Sequence, residues 1–139
     1  MKRNFFFFLL VCFISASLQS QTTYPKREFR GAWIQVVNGQ FQGMPTETMQ
    51  QTLINQLNSL QQAGMNAIIF QVRPEADAFY ESSYEPWSRF LTGVQGKAPI
   101  PYWDPMQFMI DACHKRNMEF HAWITPYRAK PNLSTQLFQ

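Results

Sequence analysis

The sequence predicts an α/β fold of consecutive βαβ units, and among such folds it favours part of a (β/α)8 barrel. Three short hydrophobic segments alternate with two segments of helical periodicity, the pattern of parallel strands joined by helical crossovers. Long irregular segments follow the first two strands, whereas very short connections lead from each helix into the next strand, as on the two unequal faces of a barrel. No glycine-rich phosphate loop follows the first strand, which disfavours a dinucleotide-binding fold.

The predicted strands are hydrophobic runs rich in β-branched and aromatic residues. They cover residues 28–37 (EFRGAWIQVV), 66–72 (NAIIFQV) and 118–125 (MEFHAWIT). After the second and third strands, a proline and an arginine follow closely, in the segments Arg73-Pro74 and 126–128. This repeated arrangement indicates two successive units of the same kind.

The two predicted helices have clear start and stop signals. The first covers residues 46–63, with Glu47 in its first turn and Gly64 ending it, and its apolar positions recur at helical spacing: Met49, Leu53, Leu57 and Leu60. The second begins after Asp104, a good N-cap, with Pro105 at the first helical position. Asn117 ends it, because asparagine tolerates the left-handed conformation. Its buried stripe comprises Phe108, Met109, Ala112 and Cys113.

The first twenty residues have the anatomy of a secretory signal peptide. Lys2 and Arg3 precede an apolar run over residues 5–14, and small and polar residues follow up to Ser20. The apolar run is shorter than the roughly 20 residues of a membrane-spanning helix. We therefore predict cleavage after Ser20, a short linker over residues 21–27, no integral membrane span after cleavage, and export to the periplasm or the extracellular space. A lipoprotein anchored through Cys12 is the less favoured alternative, because the residues before it lack the small side chain that processing prefers.

Charge and cysteine content exclude several functional classes. The formal charge of +3 falls to +1 without Lys2 and Arg3, and no basic stripe for nucleic acid or for a membrane surface is present. Cys113 is the one cysteine left after signal cleavage, so no intramolecular disulfide is expected, and it is predicted to be a small buried hydrophobe. The two histidines, His114 and His121, lie on different elements, so neither a metal site nor a cofactor is predicted.

Polar and aromatic residues gather where the predicted strands end. Side chains alternate across a strand, so Ile68, Phe70 and Val72 should face the helices, as should Phe120, Ala122 and Ile124. The side chains at the alternate positions of each strand then face the barrel interior. Arg and Gln can bridge sugar hydroxyls, and aromatic rings can cover the apolar face of a pyranose. The resulting candidate glycan-binding set is Trp33, Gln35, Gln71, Arg73, Asp77, Tyr80, His121, Trp123, Tyr127 and Arg128.

Structural interpretations of these residues remain open. Arg73 could instead form an ion pair with Asp77 or Glu75, Trp33 could belong to the core, and His121 could be a hydrogen-bonded core histidine. Glycoside hydrolysis normally needs two carboxylates on opposite sides of the scissile bond. The acidic residues near the predicted site are Glu75, Asp77, Glu81 and Glu85, and all four come from one loop. A pair on opposite sides of a substrate is therefore not expected among them, and the catalytic residues are not identified.

The segments REFRGAWIQVV, IIFQVRPEADAFYESSYEPWSRFLTGVQGKAP and WDPMQFMIDACHKRNMEFHAWITPYR resemble the amino-terminal part of the glycosyl hydrolase-like 10 family of exported bacterial proteins. The resemblance implies a (β/α)8 barrel that hydrolyses glycosidic bonds in cell-wall or other polysaccharides. One departure is Thr125, where the family often carries Asn, and a hydroxyl does not replace a full amide. A complete barrel takes about 250 residues, so residues 28–139 are expected to form an incomplete, amino-terminal βαβαβ portion, with the catalytic acids on later strands.

Three hypotheses about function follow. The first is part of an exported glycoside hydrolase that contributes substrate-binding strands. The second is a non-catalytic glycan-binding barrel, or an inactive truncated fragment, with the same aromatic and arginine side chains but without the acid pair. The third is a structural domain that another chain completes.

Overall fold

The computed structural model describes residues 28–128, which form a three-stranded parallel sheet in the order β1-β2-β3. The elements in chain order are β1 (Gly31–Ile34), α1 (Thr46–Gln62), β2 (Ala67–Arg73), α2 (Arg89–Thr92), α3 (Pro105–His114) and β3 (Glu119–Ile124). The predicted α/β class and the βαβαβ order of a partial barrel are confirmed. The predicted signal peptide (1–20), linker (21–27) and final residues 129–139 lie outside the described residues.

Strand β1 is shorter than the predicted segment 28–37, because different partners take over at both of its ends. It pairs with β2 from Gly31 opposite Ala67 to Ile34 opposite Phe70. Beyond Ile34, the backbone N–H of Val36 donates to the side-chain Oε1 of Gln71 at 3.1 Å instead of to a strand carbonyl. A side chain thus replaces the regular ladder where the strand leaves the sheet.

Both long helices end in the same motif, which explains why the connections to the following strands are so short. After α1, Gly64 has φ 82° and Met65 N–H donates to the Leu60 carbonyl at 3.0 Å. After α3, Asn117 has φ 55° and Met118 N–H donates to the Cys113 carbonyl at 3.0 Å. A left-handed residue followed by such a back-bond is the Schellman C-cap. The two predicted stop signals are therefore confirmed.

The predicted N-terminal signals differ in their structural role. The Asp104 carboxylate accepts a hydrogen bond from Gln107 N–H at 2.9 Å, so Asp104 is an N-cap as expected. Pro45 occupies the equivalent position of α1 without a side-chain hydrogen bond. The first helix therefore depends more on its packing than on its cap.

The core lies between the outer face of the sheet and the two long helices. Ile68, Phe70 and Val72 of β2 are buried, as their parity predicts, and they belong to one cluster with buried residues of α1 and α3. The cluster includes Met49, Leu53, Leu57, Met109 and Cys113. Cys113 is fully buried, as predicted, and its burial raises the pKa of the thiol to about 11. A thiol in this state is a packing residue and not a nucleophile.

Two features differ from the prediction. The outer face of β3 is covered only in part: Phe120 packs on the core, but Ala122 and Ile124 are exposed, so the described residues cover only the beginning of this strand. The long loop after β2 contains the unpredicted helix α2. Ser88 caps α2 by accepting from Phe90 N–H at 3.2 Å, and Gly93 ends it with φ 87°.

The inner face of the sheet is open within residues 28–128. Phe29 is 60% exposed and Trp33 66% exposed on this face, and the outer edges of β1 and β3 have no strand partner among these residues. Within the same range, no helix has the length and apolar character needed to cross a membrane. A sheet with two free edges and an uncovered aromatic face requires further protein surface to bury it.

We predict that residues 21–139 produced alone associate or remain loosely packed, because the inner aromatic face stays in contact with water. The measurement is binding of the dye ANS, which reports exposed apolar surface, together with sedimentation and thermal unfolding. Strong dye binding, self-association and a broad transition are expected. A monomer with a sharp cooperative transition and no dye binding would contradict the prediction.

Candidate functional site

Several of the predicted site residues lie together at the end of the sheet where the parallel strands finish. On its inner face, the rings of Trp33 and Trp123 meet edge to face, with centroids 5.0 Å apart and an interplanar angle of 84°. Phe29, from before the start of β1, packs in the same way on His121, which lies level with Trp33 because both pair with Ile69; the ring centroids are 5.4 Å apart. His121 Nε2 lies 3.0 Å from a carboxylate oxygen of Glu119. The inner face therefore carries an aromatic surface, which suits the flat apolar side of a sugar ring.

Gln71 is fully buried at the exit of β1. Its Oε1 accepts the Val36 N–H, while its Nε2 has no hydrogen-bond partner among residues 28–128. A buried amide N–H without a partner is unfavourable by roughly 1–3 kcal/mol. Gln71 thus has a free donor beside Trp123, its neighbour in the β2–β3 register.

Arg73 is held by an extensive set of contacts. Its Nε lies 2.6 and 2.9 Å from the two carboxylate oxygens of Glu85, and its Nη1 donates to the carbonyl oxygens of Thr125 at 2.9 Å and Pro126 at 3.3 Å. Arg73 thus forms an ion pair, as the alternative interpretation proposed, but its partner is Glu85 and neither Asp77 nor Glu75.

Glu75 is unavailable to Arg73 because Arg89 of α2 pairs with it. The Arg89 Nη2 and Nε atoms lie 3.1 and 3.3 Å from the two Glu75 oxygens, and the Glu75 side chain is only 3% exposed. Two separate arginine–carboxylate pairs therefore fix the loop between β2 and α3 at two points.

Asp77 lies beneath this loop and not at its surface. It is fully buried, and neither carboxylate oxygen has a hydrogen bond of good geometry within the described part of the chain. Burial raises the pKa of Asp77, and the Glu75 carboxylate adds to the rise, although the Ser88 hydroxyl and the backbone near Arg89 oppose it. In this conformation a ligand at the strand ends cannot reach the carboxyl.

The other candidate residues differ widely in exposure. Tyr80 is half-buried against the core, whereas Gln35 and Arg128 are exposed and Tyr127 is 99% exposed. Tyr127 and Arg128 directly follow the segment that Arg73 holds. The accessible part of the predicted site thus comprises the two tryptophans, the end of β1 and the segment after β3.

A cavity among the described residues does not coincide with this site. It is a groove of about 680 Å³ between the free edge of β1 and the polar side of α1, and among the candidates it includes only Trp33 and Gln35. Helix α1 lines it mainly with exposed or half-buried amide and hydroxyl side chains, those of Thr52, Asn55, Gln56 and Ser59. We attribute the groove to the open sheet edge, because it contains no charged group and lies away from the exits of β2 and β3.

Apart from the buried Asp77, the acidic side chains of the loop after β2 are already engaged. Glu75 and Glu85 are paired with arginines, Glu81 accepts a hydrogen bond from the Tyr102 hydroxyl, and Asp104 caps α3. Between residues 28 and 128, no three His, Cys, Asp or Glu side chains come together as metal ligands. These residues offer binding and positioning groups instead of a pair of free carboxylates.

Sequence reasoning missed Glu85 as the partner of Arg73. The two residues are separated by 12 positions across an irregular loop, so neither helical nor strand periodicity relates them. The carbonyl groups of Thr125 and Pro126 were also missed, because every residue has a carbonyl and its orientation depends on the fold. Opposite charge was the only available signal, and it did not distinguish Glu85 from the other acidic residues of the loop.

We predict that Asp77→Asn weakens the pH dependence of stability in the intact protein. Since the folded pKa of Asp77 is raised above the unfolded value of about 3.9, its stabilising contribution is complete below that value and is lost as the pH rises through the folded pKa. Wild-type protein should therefore lose more unfolding free energy between pH 4 and pH 7 than Asp77→Asn, as measured by denaturant titration. The exposed Asp111→Asn is the control, and identical pH profiles for wild type and Asp77→Asn would contradict the prediction.

Comparison with known proteins finds curated relatives of similar sequence. The chain is 50% identical over 110 residues to the glycosyl hydrolase YngK of Bacillus subtilis (strain 168), covering 76% of this chain and 21% of the relative. It is 46% identical over 83 residues to the glycosyl hydrolase DigH of Escherichia coli (strain K12), covering 60% of this chain and 18% of the relative. The chain therefore spans about a fifth of the length of the curated relatives that it matches. The model of the family described as "Glycosyl hydrolase-like 10" matches residues 28–137, and the chain belongs to that family.

Proposed function

We propose that this chain forms the substrate-binding strands of an exported glycoside hydrolase that acts on bacterial cell-wall or other polysaccharide glycans. The observation that carries the proposal is the carboxyl end of the sheet, where the Trp33–Trp123 pair is followed by the exposed residues Tyr127 and Arg128. The aromatic face nearer the amino ends of the strands belongs to the interior that further strands of a barrel would bury. Aromatic rings beside planar hydrogen-bonding groups recognise the two sides of a pyranose, its apolar face and its hydroxyl rim. Membership in a glycosyl hydrolase-like family supports the same substrate class.

In this proposal the chain supplies binding, and other parts of the protein supply the catalytic carboxylates. The acidic groups nearest the strand ends are occupied by arginine, tyrosine or backbone partners, and Asp77 is buried. Retaining and inverting enzymes both need two carboxyl groups about 5 Å or more apart across the substrate. The relatives extend well beyond the matched region, which leaves room for such a pair on later strands.

We predict that Tyr127→Ala in the full-length protein weakens glycan binding by roughly three- to tenfold, because it removes an aromatic ring that can stack on a sugar. Binding is measured by co-sedimentation with purified insoluble cell-wall glycan and by titration with soluble oligosaccharides. Tyr84→Ala is the matched control: Tyr84 is 95% exposed, nearly as much as Tyr127, but lies outside the candidate set. Equal losses in the two variants would contradict a specific role for Tyr127.

The same preparation distinguishes the hydrolase from the rival binding protein. Release of new reducing ends from the glycan supports the hydrolase. Binding without any release favours the non-catalytic glycan-binding barrel, for which the engaged carboxylates of this chain are the supporting observation. Absence of both would exclude a role in glycan recognition and leave the structural domain completed by another chain.

We predict that the mature protein begins at Gln21 and is exported, because the first twenty residues have the charge and hydrophobic pattern of a signal peptide. Cell fractionation followed by intact mass and amino-terminal sequencing measures this directly. Lys2→Glu combined with Arg3→Glu should retain the protein in the cytoplasm with its first residues uncleaved. An uncleaved wild-type protein in the cytoplasm would contradict the prediction.

A further inference from the structure

We propose that Arg73 and Glu85 form a clamp that positions the segment carrying Tyr127 and Arg128, so that Arg73 acts as a positioning residue and does not contact the substrate. The Arg73 clamp is defined here as the Arg73 guanidinium, the Glu85 carboxylate and the carbonyl groups of Thr125 and Pro126. The consequence for ligand binding rests on the proposed function, but the clamp itself does not.

The hydrogen bonds of the guanidinium leave little capacity for a ligand. Arg73 Nε and Nη2 both contact Glu85, with Nη2 lying 2.5 Å from Oε1, and Nη1 contacts the two carbonyl groups after β3. Each of the three guanidinium nitrogens thus has a protein partner, and the Arg73 side chain is only 17% exposed. A glycan hydroxyl would have to displace one of these charge-assisted contacts, which are stronger than neutral hydrogen bonds.

The clamp joins three parts of the chain that the sheet alone does not hold together. Arg73 is the last residue of β2, Glu85 lies in the loop after β2, and Thr125 and Pro126 follow β3. The backbone adds one more contact, because Thr125 N–H donates to the Arg73 carbonyl at 3.0 Å. Regular pairing ends at Ile124, so the path of the chain into Tyr127 depends on these contacts.

The chemistry of the clamp requires arginine and not merely a positive charge. A planar guanidinium can bond a carboxylate along one side and carbonyl groups along the other, whereas a lysine ammonium acts as a single point of charge. The Glu85 side chain is 23% exposed, so water screens the pair only in part. Arg73→Lys should therefore keep the charge but release the segment after β3.

The test uses Arg73→Lys and Glu85→Gln in the full-length protein, with amide hydrogen exchange read on peptides covering residues 124–128 by mass spectrometry. Exchange in these peptides should rise on the order of tenfold in both variants, and affinity for insoluble cell-wall glycan should fall on the order of tenfold because Tyr127 and Arg128 are no longer held in place. If Arg73→Lys fails to fold, Glu85→Gln carries the test, because it removes the carboxylate charge that holds the guanidinium against the two carbonyl groups.

Arg30→Lys is the matched control. Arg30 also contacts a carboxylate and a backbone carbonyl, Glu28 at 3.2 Å and Gly64 at 2.6 Å, but at the opposite end of the sheet. It should leave both exchange at residues 124–128 and glycan affinity unchanged. Unaltered exchange in both clamp variants would overturn the clamp, and raised exchange with unaltered glycan affinity would overturn its role in binding. A wild-type protein that binds no glycan would overturn the proposed function, and exchange would then decide on the clamp alone.

Discussion

Strand β2 is the element on which the rest of this structure depends. It pairs with β1 on one side and with β3 on the other, and its outer side chains Ile68, Phe70 and Val72 form the floor of the core under both long helices. Its carboxyl end contributes Gln71, whose side chain replaces a ladder bond of β1, and Arg73, whose side chain holds the chain after β3. Hydrophobic burial fixes the outer face of the strand. Hydrogen bonds from the side chains at its carboxyl end fix the segments that follow β1 and β3.

The division between these two faces explains why the fold and the candidate site were predictable to different degrees. The signals that predict the helices act through neighbouring residues: the C-terminal residues Gly64 and Asn117, the N-cap Asp104 and the apolar spacing of α1. The sequence therefore predicts where these helices begin and end. The partners of Arg73 could not be predicted in this way. Their choice depends on how the loop between Arg73 and Glu85 folds back and on which carbonyl groups the guanidinium meets, and both are properties of the tertiary structure.

Asp77 illustrates the same limit from another side. An acidic residue in a polar loop suggests exposure, and the sequence offers no sign that Ala78 bridges to Trp87 and that Phe79 enters the core. Once those neighbours are buried, the carboxyl of Asp77 is carried inward with them. Its raised pKa is therefore a consequence of packing around it and not of any motif in which it takes part.

The register of β2 and β3 shifts by one residue near their ends: Gln71 aligns with Trp123, but Arg73 aligns with Ile124. Val72 is the extra residue, and such a bulge lets the alternation of side chains restart beyond it. The pattern of side chains that packs against the helices, before the bulge, is thereby independent of the pattern at the strand ends after it. A change in the length or composition of the chain beyond the bulge therefore leaves the core side chains of β2 on their own face, so the surface at the strand ends and the interior can be altered independently.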